Sequence, residues 1–175
     1  MGNTVILDKN AIVRTEIRLS HEVLEHNASL SDVVLIGIRR GGEVVARRIQ
    51  QYILSQSGEE IPCSGISIAA FRDDGKQSTG ESNDFGFSID GKTVILCDDV
   101  LNTGRSVRAA IDGLFTMGRP KGVQLLVLVD RGGREVPVRA DYVGKNAAVN
   151  KSERVQVEFE ELGDSEDRLY ITKLE

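Results

Sequence analysis

Three stretches of the chain, Val33 to Ile38, Thr93 to Cys97 and Val123 to Val129, are almost continuously apolar. A strand with one wet face alternates apolar and polar residues, so runs of this kind belong to strands covered on both faces. The first two runs are each followed by a segment of helical spacing, roughly Glu43 to Leu54 and Arg105 to Met117. Parallel neighbours are reached only through a crossover, and a helix is its usual form. The repeated order of strand and helix therefore predicts an α/β fold, a doubly wound and mainly parallel sheet flanked by helices. Ligands of such sheets sit beyond the carboxyl ends of the strands, which directs attention to the loops after Ile38, Cys97 and Val129.

Around these runs the signals are weaker. Asp8 is suited to cap a helix that carries Ile12, Val13, Ile17, Val23 and Leu24 on one face and Arg14, Arg18 and His21 on the other. Ser64 to Ala70 reads as a further strand, and beyond Asp141 come shorter β-like segments, Arg154 to Phe159 and Arg168 to Thr172. Between Phe71 and Lys92 the chain is polar, with Phe85 and Phe87 as its only clear apolar anchors. A loop of that length inside a compact domain has the character of a mobile lid, and its composition fits simple disorder equally well. No repeat or linker interrupts the 175 residues, which predicts one domain, 1–175. A chain of this size buries roughly 70% of its unfolded surface.

Composition closes off several classes. With 40% apolar and 28% charged residues the chain has the material for a core and is not a disordered polymer. Its 22 basic and 27 acidic residues give a net charge of -5, so a nucleic-acid site has to be a local patch. Cys63 and Cys97 stand far apart without His or Cys at ligand spacing, which fits two small buried hydrophobes in a reducing compartment. No charged segment followed by an apolar run opens the sequence, and no apolar run approaches the roughly 20 residues that span a bilayer. A soluble, cytoplasmic protein without a membrane partner is expected.

The segment from Val94 through Cys97, Asp98, Asp99, Val100, Leu101, Asn102, Thr103, Gly104, Arg105 and Ser106 carries the most chemistry. It is a buried strand, two carboxylates, then a small-residue turn opening a helix. Unpaired N–H groups at a helix start, with the Thr103 and Ser106 hydroxyls beside them, form an anion cradle suited to phosphate. Carboxylates next to a phosphate would repel it, so they make sense if they address hydroxyls or Mg²⁺ close by. A phosphorylated sugar offers both. An Asp cap on an ordinary strand-to-helix turn accounts for any one of these residues, but not for the whole pattern. Other phosphate sites fit less well: no G-x-G-x-x-G follows a strand, Gly113 to Arg119 lacks a P-loop Lys, and the acidic pair is not near the first strand as in receiver domains.

This segment resembles the phosphoribosyl pyrophosphate (PRPP) motif of the type I phosphoribosyltransferases. Leu128 to Glu135 and Arg139 to Asn146, with Asp8 to Asn27 and Phe71 to Asp74, are similar to the PyrR family of pyrimidine-operon attenuation regulators, which also have uracil phosphoribosyltransferase activity. The resemblance covers most of the chain. It implies the type I fold with a small hood subdomain, and a bifunctional protein that converts uracil and PRPP to UMP and pyrophosphate and binds the leader mRNA of a pyrimidine operon. It implies that Thr103, Gly104, Arg105 and Ser106, continuing to Val107, hold the 5-phosphate, with Val100, Leu101 and Asn102 completing the PRPP site. Asp98 and Asp99 would hold the ribose hydroxyls and Mg²⁺ and act as the catalytic pair. Arg39, Arg40 and Gly41 match the pyrophosphate loop. The base falls near Asp130, Arg131 and Val155, and RNA near Arg18, His21, Arg134, Arg139 and Lys145. UMP or UTP as regulatory ligands and a homo-oligomer, dimer or higher, are further implications.

Departures from the family pattern concern details. Ser106 stands where Thr is usual, Gly133 where His is common, Ile17 where a hydroxyl residue and His26 where Arg is common. The Arg of the pyrophosphate loop falls at a different place, and the lid region is several residues shorter. Two other readings stay open: a UMP- or UTP-sensing RNA-binding regulator with little catalysis, and a phosphoribosyltransferase for a purine base.

Overall fold

A computed structural model of the chain describes residues 3–75 and 82–174. Its elements, in chain order, are β1 (Thr4–Leu7), α1 (Lys9–His26), β2 (Val33–Ile38), α2 (Gly41–Ser57), β3 (Cys63–Ile66), β4 (Thr93–Leu101), α3 (Arg105–Met117), β5 (Gly122–Asp130), β6 (Tyr142–Asn146), β7 (Glu153–Glu158) and β8 (Arg168–Lys173). Five strands form one sheet in the order β3-β2-β4-β5-β6, with every pairing parallel. The other three form an antiparallel sheet, β1-β8-β7, which is the hood. The doubly wound α/β architecture with a hood is thus the observed one. Among the described residues no helix is long and apolar enough to cross a membrane.

The continuous apolar runs lie at the centre of the parallel sheet, and all of β2 is buried. One face packs Leu35, Ile95, Leu126 and Leu128 against α1 and α2, and that same cluster runs on into Val155, Phe159 and Leu169 of the hood segment. The other packs Ile36, Leu96 and Val127 against Val107 and Leu114 of α3. Phe85 and Ile89 join this second face, and Asn83 exchanges hydrogen bonds with the backbone of Ser67. The polar stretch from Phe71 to Lys92 is therefore anchored from residue 82 onward, with Ile89 a stronger anchor than the half-buried Phe87. The rest of the expected lid, 76–81, lies outside the described residues.

Several boundaries differ from the sequence expectation. The Asp8 carboxylate does cap α1, accepting from the Ala11 N–H at 2.8 Å. The buried stripe of α1 is Ile12, Glu16, Leu19, Ser20 and Val23, whereas Val13, Ile17 and Leu24 are only half-buried. α1 lies in a groove between α2 and β6, and the contact is tight: a Cβ added to Gly144 would stand 2.7 Å from Thr15 Cγ2. Two polar residues are thereby carried into the interior. Residues 64–70 do not form one strand; β3 ends at Ile66 and a turn of 3-10 helix follows at Ala69–Phe71. β4 runs to Leu101, past the apolar run, because Val100 and Leu101 keep their pairing with Val129 and Asp130.

The hood is tied to the sheet domain by an ionic junction. Arg48 of α2 bonds both oxygens of Glu161 at 2.7 and 2.5 Å, lies 2.8 Å from Asp167 and 3.4 Å from Glu16, and stacks 4.9 Å above the Phe159 ring. Asp167 also accepts from the Glu160 N–H. Glu16 is fully buried and its Oε2 has no partner. Burial pushes the Glu16 carboxyl up to about 7 against the pull of Arg48, with Asp167 and Glu161 pushing the same way as burial. Glu16 therefore binds its proton more tightly folded than unfolded, where its ordinary value is 4.5. Its contribution to stability is present in full below that value and lost as pH rises through about 7, an effect of about 3 kcal/mol by linkage. Urea melts of Glu16→Gln and wild type at pH 4.5 and pH 8 should show the variant gaining on wild type by that order at the higher pH. A difference that does not move with pH would mean that Glu16 stays charged throughout.

Candidate active site

The carboxyl end of β4 meets the first turn of α2 with no side chain from the helix between them. A Cβ on Gly42 would fall 2.4 Å from the Cys97 carbonyl, and one on Gly41 2.2 Å from Asp99 Oδ2. On the neighbouring strands Gly37 pairs with Gly65, and Cβ atoms there would strike the backbone and the carboxylate of Glu43. Four glycines thus let α2 start at Gly41, two residues before the helical spacing begins, directly over the sheet. The Arg39–Arg40 peptide bond is cis. Both arginines are exposed at this turn, with Arg39 Nε 3.6 Å from the Glu43 carboxylate.

Asp98 and Asp99 belong to β4, not to a solvent-facing loop as their polarity suggested; the backbone pairing with β5 carries them into the sheet. Asp98 is 7% exposed, and Asp99 is half-buried. Asp98 Oδ1 accepts from the Asp99 N–H at 3.0 Å and Asp99 Oδ1 from the Val100 N–H at 2.7 Å. Burial, then the adjacent Asp99 charge, pushes the Asp98 carboxyl well above the usual range. Such a site favours a positive charge brought against it. The pair offers hard oxygen donors, and among the described residues no cluster of three acidic, His or Cys side chains encloses a metal ion. That donor set fits Mg²⁺, which keeps water and substrate oxygens in its shell rather than an all-protein cage.

After Leu101 the chain turns through Gly104 into α3. Gly104 has φ +87°, and a Cβ there would also lie 2.8 Å from Val136 Cγ2. Position 104 therefore demands glycine on two counts. The first turn of α3 holds no acidic residue. Its N–H groups open on a cavity of about 130 Å³ lined by Asp98, Val100, Leu101, Asn102, Thr103, Gly104, Ser106 and Val107. A second cavity of about 200 Å³ shares Thr103 and Ser106 and is closed by Ile68, Arg72, Asp73, Asp74, Arg105 and Ala109. Arg105 reaches Asp73 on one side and Glu135 on the other, both at 2.7 Å, and Arg108 donates to the Phe71 carbonyl at 2.8 Å. Sequence reading missed Asp73, Arg108 and Glu135 as partners here, because nothing local joins residues some thirty positions apart.

The loop after β5 lies across the turn after β4. The Arg131 N–H donates to Leu101 O, and the Glu135 and Val136 N–H groups to Thr103 O. Asp130 accepts from the Gly132 N–H at 2.9 Å and from Arg134 at 2.5 Å. Burial alone would raise the Asp130 carboxyl, but Arg134 and the Gly132 amide together hold it below the ordinary range. Arg131 has its Nε buried without a partner. Val155, 6% exposed on β7, packs in the cluster that includes Val129 and borders Val100. The three residues expected near the base therefore come from the end of β5 and from the hood.

The expected RNA residues divide into two groups. Arg18 donates to Gly144 O at 2.5 Å and pairs with Glu22, His21 is exposed one turn further along α1, and Lys145 is exposed on the adjoining β6. Arg139 is exposed in the segment leading to that strand. Arg134 instead turns inward, with hydrogen bonds to Val138 O, Asn102 O and Asp130. The cysteines are free thiols, Cys97 buried and Cys63 partly so. Burial raises both, Cys63 to about 11, as befits inert core positions.

Residues 2–161 match the phosphoribosyl transferase domain family. The chain is 46% identical over 162 residues to the bifunctional protein PyrR of Geobacter sp. strain M21, spanning 90% of this chain and 92% of that one. It is 45% identical over 170 residues to the bifunctional protein PyrR of Pelotomaculum thermopropionicum, spanning 95% and 93%. Among solved structures, a hypoxanthine phosphoribosyltransferase of Trypanosoma cruzi superposes with a TM-score of 0.74 at 17% identity over 98% of this chain and 97% of its own. One from Staphylococcus aureus gives 0.71 at 21% identity over 98% and 90%. Identities that low speak to the fold alone, but the fold, the acidic pair beside a helix-start cradle and the PyrR relatives agree: the chain belongs to the phosphoribosyltransferase family and, within it, to the PyrR group.

Proposed function

We propose that this protein transfers the phosphoribosyl group of PRPP to uracil, giving UMP and pyrophosphate, and also binds pyrimidine-operon leader mRNA as an attenuation regulator. The observation that carries the proposal is the acidic pair, Asp98 buried and Asp99 half-buried, set between the glycine start of α2 and the acid-free start of α3. In the reaction the bond from ribose C1 to the pyrophosphate oxygen breaks, a bond from C1 to a uracil ring nitrogen forms, and that nitrogen gives up its proton. The amides and hydroxyls of Thr103 to Ser106 take the 5-phosphate, Arg39, Arg40 and the Gly41 amide take the pyrophosphate, and Asp130, Arg131 and Val155 frame the base. Asp98 and Asp99 hold the ribose hydroxyls and stabilise the positive charge that develops on the sugar. These two carboxylates would also hold Mg²⁺, which supplies charge neutralisation for the departing pyrophosphate.

For RNA, Arg18, Arg139 and Lys145 form the cationic group on α1, β6 and the segment before it, as a chain of net charge -5 requires, and His21 on α1 adds a hydrogen-bonding side chain. One observation favours a regulatory use of the same pocket. The base-side loop leads directly into β6, which bears Lys145, so UMP or UTP in the pocket can bias the RNA face. In this reading the protein works in the cytoplasm as a homo-oligomer.

Purified protein should form UMP from uracil and PRPP only with Mg²⁺ present, followed by product chromatography. No UMP at saturating substrates sinks the enzymatic half and leaves the nucleotide sensor standing. Asp99→Asn should lower turnover on the order of 100-fold or more with a smaller effect on PRPP affinity. Asp98→Asn should do likewise and keep the fold, because a neutral side chain is tolerated where the buried carboxyl already resists ionising. Turnover unchanged in both removes the pair from the mechanism. Arg139→Ala and Lys145→Ala should each weaken binding of a leader hairpin and lower its salt slope by about one counterion. UMP should tighten wild-type binding; equal affinity for a scrambled hairpin, indifferent to UMP, would refute the regulatory half.

A further inference from the structure

On the phosphate reading of the turn after β4 given above, we infer that Arg105 is a positioning residue for the sugar 5-phosphate: its guanidinium neutralises Asp73 and Glu135 and holds both carboxylates off the anion cradle. The Arg105 amide belongs to the cradle itself, whereas its side chain acts through two others.

The cradle is flanked by acids brought in from distant parts of the chain. Asp73 and Asp74 line the cavity of about 200 Å³ whose wall also includes Thr103 and Ser106, the two hydroxyl residues of the cradle. Glu135 arrives with the loop after β5, its N–H on Thr103 O at 2.9 Å. A carboxylate in either place repels a phosphate dianion, and the repulsion survives over a screening length of roughly 10 Å at about 0.1 M salt. Arg105 answers both acids at once. Its Nη1 donates to Asp73 Oδ2 and its Nε to Glu135 Oε2, each at 2.7 Å. Donors fixed in different directions on one planar fork suit two carboxylates that approach from different loops.

The other charges nearby are matched without it. Asp74 pairs with Arg72, and Asp112 with Arg108 at 2.5 Å. Arg108 also donates to the Phe71 carbonyl and comes no nearer to Asp73 than 4.0 Å. Asp73 and Glu135 therefore rely on Arg105 for their compensation. All three side chains are well exposed, and exposed pairs add little to the stability of a fold. The group that feels their loss is the anion seated beside them. The Nη2 group of Arg105 takes no part in either bond, so a direct contact to the phosphate is the rival role, and the two differ in what removal of the acids does. If Arg105 works by neutralising Asp73 and Glu135, a chain without those two carboxylates no longer needs it.

The test uses full-length protein carrying Arg105→Gln alone or together with Asp73→Asn and Glu135→Gln, each checked by a thermal melt. Calorimetry with UMP and with uridine separates the phosphate from the rest of the nucleotide. Arg105→Gln should bind UMP about tenfold more weakly than wild type at low salt, with a deficit that shrinks as salt rises, and should bind uridine as wild type does. The triple variant should recover UMP affinity to within about threefold of wild type. In turnover, Arg105→Gln should raise KM for PRPP more than it lowers kcat. No recovery in the triple variant would make Arg105 a direct phosphate ligand and overturn the inference. Equal losses for UMP and uridine would make its role structural and overturn it too, as would wild-type UMP affinity in Arg105→Gln. If the wild type binds UMP but forms none from uracil and PRPP, the transfer reading fails and the same binding series still decides the role of Arg105. If the wild type binds neither UMP nor PRPP, the phosphate reading of the turn fails and takes this role of Arg105 with it.

Discussion

The first turn of α2 rests on the end of β4 with no side chain of its own in between, and the rest of the site depends on that contact. Gly41 and Gly42 meet Asp99 and the Asp98 backbone, while Gly37 and Gly65 clear the sheet surface beneath Glu43. Helix interiors penalise glycine by about 1 kcal/mol relative to alanine. Here the missing Cβ atoms are what permit the helix to begin over the strand end at all. The closeness brings the backbone of the turn before α2 up to the carboxylates of β4.

Burial of the acidic pair follows from pairing, not polarity. β4 extends as far as β5 offers partners, so Asp98 enters the sheet although its side chain would choose water. An isolated carboxylate in such a position either holds its proton or waits for a cation. The site is thus prepared for charge that is absent until a sugar cation or metal arrives, and preparation of that kind is how electrostatic catalysis avoids reorganisation during the reaction. The junction at Arg48 shows the opposite solution: its charge is met permanently, by Glu161 and Asp167, and only Glu16 is left under-satisfied.

The parallel sheet was legible because a continuous apolar run of strand length fits few positions except a strand covered on both faces. The phosphate turn was legible because its thirteen residues, Val94 to Ser106, combine a strand, two carboxylates and a helix start. What escaped the sequence were effects of tertiary contact. The burial of Glu16 and Ser20 comes from α1 lying between α2 and β6, which no helical period announces. Ile89 hides inside a polar stretch because one apolar residue in a turn carries no periodicity. The expected role of Arg134 came from the family resemblance, which says nothing of its local partners: the folded chain shows its fork meeting Asn102, Val138 and Asp130.

Each sheet has a four-residue strand at one edge. β1 and β3 are four residues each, β6 is five and β7 six, and β1 shifts register between Val5 and Leu7. A short or irregular outer strand presents few unpaired backbone groups and templates poorly for another chain. At the β1 and β3 edges neither sheet is readily prolonged across a molecular boundary. Contact with another chain is thereby directed to side-chain surfaces, helices and loops, where shape and charge select the partner more strictly than a bare peptide edge does.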